Sequence, residues 1–305
     1  MKPGESPWIE VPDDWLDDCY SIDPEIRKFQ EFVGLKVKAG VLRRHLLADD
    51  IGNPGELSLN NIIVDCTDHQ MCTITAHYEV YGMAWKVYNE GTGLFIENRN
   101  RNIKKNGRIK ITRIIRKGGA GAVNSIAFSS MGVGVAKLPD DFADAYYMRA
   151  IPFLQKIGVK TVTLTAITEA HNPSSDMGRL LGGYLWSKYG FTNGRMDEKS
   201  GEVIEQIDQI KSQFLHYLGE LRNIQISNDE VDYIKSMTRM NRLSQHTIKR
   251  DEIDLRTGRD FLLGDDGTGT YSRDVIWLGV IPDIHDCHSK EMRELAHRLV
   301  VSGHK

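Results

Sequence analysis

Between residues 159 and 191 the chain reads as a strand, a polar loop and a short helix, in that order. Val159-Lys160-Thr161-Val162-Thr163-Leu164-Thr165-Ala166 is dominated by β-branched residues. Gly182-Gly183-Tyr184-Leu185-Trp186-Ser187-Lys188-Tyr189-Gly190-Phe191 follows as a helix that stops at a glycine. Upstream, residues 125–135 read as another strand, and a helix begins near Asp140. This order predicts an α/β (α+β) core: a mixed, mostly antiparallel sheet with flanking helices.

The flanking segments add elements. Asp23-Pro24-Glu25 supplies a cap, a first-turn proline and an early carboxylate, and Ile26, Phe29, Val33, Val37, Val41 and Leu42 recur at helical spacing. They predict a helix over roughly residues 24–48. Ile62-Ile63-Val64, Cys72-Thr73-Ile74-Thr75, Trp85-Lys86-Val87-Tyr88 and Leu94-Phe95-Ile96 read as a β-meander, and Asn106-Gly107 as a type I′ hairpin turn. After Phe191, one amphipathic helix runs from Val203 through Ile207, Ile210, Phe214 and Leu218 to Leu221. Ser227-Asn228-Asp229-Glu230 matches a capping box that opens another, with Ile234 and Met237 on its apolar side. Residues 260–263 and 275–280 read as strands and 290–301 as a last helix. The expected divisions are an acidic arm and helix (1–60), a core (61–191), a helical insertion (192–258) and core-completing elements (259–305).

The strand, loop and helix ending in aromatic-x-x-x-Gly190-Phe191 resemble the second half of the GNAT fold of N-acetyltransferases. The Gly182-Gly183-Tyr184-x-Trp186 start is similar to the variant found in phage and toxin-associated proteins. The resemblance covers about residues 120–191, with a looser match over 259–281. It implies an N-acyltransferase using acetyl-CoA or another acyl-CoA, with pantetheine in a slot beside Gly132, Gly134 and Val135. It also implies a general base in the loop after the second strand, sought among Glu169, His171 and Asp176, with Glu169 and His171 the expected site residues. Trp186 occupies the position of the family's proton-donating tyrosine, which makes one of the flanking Tyr184 and Tyr189 the candidate donor to the departing thiolate, Tyr184 being the expected site residue. One stretch departs from the pattern: Leu138-Pro139-Asp140-Asp141-Phe142-Ala143-Asp144-Ala145 has no glycine and no base where the pyrophosphate loop belongs. There Asp140 or Asp141 is expected to cap the helix itself, and Pro152 to kink or end it. The resemblance is equally compatible with a non-catalytic GNAT-like component of a phage particle or other assembly, so both readings stand.

Charge narrows partners only locally. The 39 Lys and Arg against 42 Asp and Glu give a formal −3, which selects no partner class. Eight carboxylates, however, lie within residues 5–25 and nine bases within 99–117. The arm is expected to meet the basic hairpin, in one chain or between subunits, anchored by Trp8 and Trp15, which points to a protein partner or self-assembly. Nucleic acid is the lesser expectation, since the bases have no interleaved aromatics. Cys19, Cys66, Cys72 and Cys287 read as reduced thiols. His285-Asp286-Cys287-His288 lacks a second cluster, so no structural metal is expected. No apolar run reaches roughly 18 residues and the first residues lack a signal-peptide layout, so the expected compartment is the cytoplasm, or a virion if phage-encoded, with no membrane partner.

Overall fold

The computed structural model describes residues 6–47, 49, 57–80, 86–87, 96–97, 107–118, 122–133, 142–169, 180–197, 203–221, 225–250, 253–265 and 274–302. Trp8–Val159 belong to one compact unit and Lys160–Pro173 with Arg179–Lys305 to a second. Each is α+β and built on antiparallel strands.

In the first unit, α1 (Pro24–Val33) begins as expected, with the Asp23 carboxylate accepting from the amides of Glu25 (3.0 Å) and Ile26 (3.4 Å). The helix does not continue to residue 48. Gly34 adopts φ 73°, and its N–H donates to the Gln30 carbonyl. This left-handed cap ends the helix. The chain then bridges Val37 to Leu16 and restarts as α2 (Ala39–His45). Buried Gln30 holds the corner, accepting from Ser21 N–H and donating to the Val37 carbonyl, both at 2.7 Å.

The sheet of this unit runs β1 (Leu57–Asp68), β2 (Met71–Val80), then β5 (Gly107–Lys117) and β6 (Val123–Val133), all antiparallel; β3 (Lys86–Val87) and β4 (Ile96–Glu97) form a short separate pair. Alternation buries Ile62 and Val64 of β1, Cys72, Ile74, Ala76 and Tyr78 of β2, and Ile111, Arg113 and Ile115 of β5. Each fully buried aliphatic contributes about 1.5–3 kcal/mol by leaving water. Cys66 and Cys72 form a disulfide, contrary to the reduced-thiol expectation. The tight β1–β2 turn puts residues six apart on facing strands, with Cα atoms at 4.1 Å. Cys19 and Cys287 are free.

The 15-residue helix α3 (Phe142–Lys156) runs through Pro152 instead of ending there. A proline at that position supplies no N–H to the carbonyl four residues back. That carbonyl, Met148 O, instead accepts from Ile9 N–H at 2.8 Å. The N-terminal arm is thus stitched onto α3, and Trp15 packs edge-on against Phe153 at 6.3 Å. The arm is held at Lys36 and Lys38 as well: Asp17 N–H donates to Lys36 O, Lys38 N–H to Trp15 O, and Lys38 Nζ pairs with Asp14. Asn106 and the hairpin tip expected to meet the arm lie outside the described residues, as do Asp140 and Asp141.

In the second unit β7 (Thr161–Glu169) pairs with β8 (Leu180–Leu181) on one side and β13 (Val275–Ile281) on the other, in the register Ala166 to Trp277 and Val162 to Ile281. Next to β13 come β9 (Thr192–Met196) and β10 (Val203–Glu205). Val203 and Ile204, expected in a helix, therefore extend the sheet, and α5 (Ile207–Glu220) starts after them. The remaining elements are α4 (Gly182–Ser187), α6 (Asn228–Ser236), α7 (Met240–Ser244), the β11 (Ile248–Arg250) and β12 (Ile253–Leu255) hairpin, α8 (Thr257–Leu262) and α9 (Lys290–Ser302). Residues 260–263 are helix and turn where a strand was expected, because Phe261 and Leu262 fill a core with Phe214 and Tyr217 of α5. The Gly190-Phe191 pair is explained directly. Gly190 has φ 77°, and a Cβ there would collide with the Glu291 carbonyl of α9, so only glycine lets α9 close over the end of α4. Phe191 and Tyr189 are buried beside it, and Trp186 is half-buried.

Candidate anion-binding cleft

Helices α4, α7 and α9 of the second unit enclose a cleft of about 560 Å³. The periodicity of α9 builds one wall. Ser289 Oγ accepts from Met292 N–H at 3.2 Å, which fixes the helix start. Met292, Leu295 and Leu299 then face the core, leaving Lys290, Arg293, Glu294, His297, Arg298 and Val301 on the cleft stripe. Buried Met240 and Leu243 orient α7 in the same way, so that Asn241, Ser244 and Gln245 line the opposite side with Arg239 at the helix cap. Tyr184 and Lys188 complete the wall, the ammonium lying 4.1 Å from the ring centroid.

Five bases against one carboxylate leave a formal excess of four positive charges around this space. That carboxylate, Glu294, is already paired with Arg239, both side chains being about one-fifth exposed. The remaining cations sit close together in a concave site where field lines concentrate, an arrangement that favours a multiply charged anion. Guanidinium forks and ammonium groups match phosphate oxygens, and Ser244, Asn241, Gln245 and Tyr184 add neutral donors and acceptors.

Just beyond the end of α7 a polar network anchors that helix to its neighbours. The expected capping-box start is present, since Ser227 Oγ accepts from Glu230 N–H at 3.2 Å. The Glu230 side chain does not turn back to the cap: it accepts from His246 Nε2. On the other side of the ring, Thr257 Oγ1 lies 2.7 Å from His246 Nδ1. A carboxylate can only accept, so Nε2 carries the proton in this arrangement and Nδ1 faces the hydroxyl. One buried imidazole thereby ties the start of α6 and the start of α8 to the end of α7, with Phe214 edge-on to it at 5.1 Å.

Of the residues expected from sequence, Tyr184 lies in this cleft. Glu169 ends β7, and its side chain, like His171, lies outside what is described. Gly132 is on β6 of the other unit, opposite Lys110, while Gly134 and Val135 are outside the described residues. Arg239, Lys290, Arg293 and Arg298 were not anticipated; the signal was the basic i, i+3, i+8 spacing of residues 290, 293 and 298 on one stripe of an amphipathic helix. Among the described residues no group of three His, Cys, Asp or Glu is placed to hold a metal ion, and no helix is long and apolar enough to cross a membrane. No protein-family model, no curated protein and no solved structure matches this chain.

Proposed function

We propose that the protein binds a phosphorylated ligand in the α4–α7–α9 cleft. The observation that carries this reading is the excess of four positive charges around a concave space of about 560 Å³, within the size range of small-ligand sites. The GNAT-like character of residues 159–191 makes an acyl-CoA the first ligand to try: its phosphates suit Lys290, Arg293 and Arg298, and Tyr184 is the candidate catalytic residue at the cleft. When bound, that cofactor supplies an activated acyl thioester for transfer to an amine.

A second reading, binding without acyl chemistry as a component of a phage particle or other assembly, is favoured by Asp144. It sits 9% exposed in the first turn of α3, where the GNAT pattern calls for free amides facing a pyrophosphate. Thermal-shift titration with acetyl-CoA, CoA, ADP and inorganic phosphate separates the readings. Stabilisation by all the phosphorylated compounds, strongest for acetyl-CoA, supports the acyltransferase. Stabilisation by ADP with none by acetyl-CoA supports the second reading, and no response to any compound removes the proposal.

A further inference from the structure

Strand β5 carries the sequence Ile111-Thr112-Arg113-Ile114-Ile115, and its inward face reads Ile111, Arg113, Ile115. A guanidinium therefore occupies a core position, opposite Ile74 of β2 and completely buried. Its Nε donates to Tyr146 Oη of α3 at 3.0 Å, with the guanidinium carbon 5.0 Å from the Tyr146 ring centroid. Nη1 and Nη2 have no hydrogen-bond partner among the described residues.

Arginine does not discharge itself by losing a proton, so burial leaves a permanent cation in an apolar setting. Among the described residues its neighbours do not neutralise it. Burial pushes the phenols of Tyr78 and Tyr146 up from their ordinary value, against the opposing pull of Arg113, so both are uncharged at neutral pH. The Tyr78 hydroxyl donates to the Leu47 carbonyl, and its oxygen, although near enough to feel the Arg113 charge, closes no hydrogen bond with Nη1 or Nη2. Asp49, near Tyr78, accepts from Leu59 N–H at 3.2 Å and lies 3.8 Å from Arg43. A buried ion without a counter-ion is among the costliest arrangements in a folded protein.

We infer that Arg113 is the receptor of a buried anion site, with Nη1 and Nη2 forming the two-toothed edge that takes a carboxylate. The planar fork of a guanidinium matches two carboxylate oxygens side by side, and the surrounding Ile111, Ile115, Ile74 and tyrosine rings select a small monoanion over a heavily hydrated dianion. This site is independent of the cationic cleft, lying in the other compact unit.

The test is thermal unfolding of the full chain in buffers of equal ionic strength containing formate, acetate, chloride or sulfate. Formate or acetate at about ten times its Kd should raise Tm by about 2–4 °C over sulfate. Arg113→Met and Arg113→Lys should both lose that increment, the first lacking the charge and the second the fork. Calorimetric titration of wild-type protein with formate at constant ionic strength reads the same site without a variant. A carboxylate increment that persists in both variants, or wild-type protein indifferent to all four anions, overturns the inference.

Discussion

His246 and Arg113 are both buried polar side chains, one in each compact unit, and they are treated in opposite ways. Both ring nitrogens of His246 are met, by Glu230 and Thr257, and the network joins three helices. Arg113 has only Nε met, by a tyrosine. The first pattern is that of a structural joint: each donor has its acceptor, and removing one member strands the others. The second retains binding capacity inside a core, the arrangement expected where something outside the chain completes the set. The contrast teaches that burial alone does not distinguish a scaffold residue from a receptor; the number of unmet donors does.

The largest expected effect is at the joint. His246→Leu leaves the Glu230 carboxylate and the Thr257 hydroxyl without their shared partner, and should destabilise the protein by about 3–5 kcal/mol. Urea unfolding at pH 7 checks this, and a loss under 1 kcal/mol would erase the contrast. Arg113→Met removes a buried charge rather than stranding one. In carboxylate-free buffer it should be neutral or stabilising, by up to about 1–4 kcal/mol.

Smaller effects come from carboxylates whose surroundings pull in opposite directions. Burial raises the Asp260 carboxyl above its ordinary value of 3.8, opposed by Arg259 and aided by Asp265. A raised folded-state value means stability is greatest below the ordinary value and falls as pH rises through the folded one. Asp260→Asn should therefore raise Tm slightly at pH 7 and flatten that decline. Glu25 is the opposite case: Lys28 and then Val64 N–H hold its carboxylate below the ordinary 4.5. Its contribution is present above that value and lost as pH falls through the folded one, so Glu25→Gln should be less stable at pH 7 with a shallower acid limb. Parallel Tm-versus-pH curves for variant and wild type would contradict either assignment.

Local chemistry made part of this fold legible in the sequence. Asp23-Pro24 and Ser227 cap the helices they were expected to cap, and β7, β13 and α9 fall close to the runs that announced them. What escaped was decided by distant contacts. Gly34 stops α1 because the chain finds Leu16 to bridge with, and Phe261-Leu262 is helical because Phe214 and Tyr217 receive it. A short apolar run carries no period that separates the two outcomes. Arg113 looked like one base of a solvated hairpin, and only strand register turns it inward. The cleft was hidden for a related reason: Lys188, Arg239 and the bases of α9 are spread over more than a hundred residues and gather only through packing such as that of Gly190 against α9. Glu230, read as a capping-box partner, is claimed by His246 sixteen residues on.

The most direct test of phosphorylated-ligand binding is isothermal titration with ADP of wild-type protein and of a Lys290→Glu/Arg293→Glu variant, at low and high salt. Both side chains are exposed, so the variant should fold with an unchanged denaturation profile. Binding to wild type should weaken as salt rises, and the two charge reversals should reduce affinity by at least about 100-fold. Equal affinity in the two proteins, or a wild-type isotherm without heat, would contradict the proposed role of the cleft.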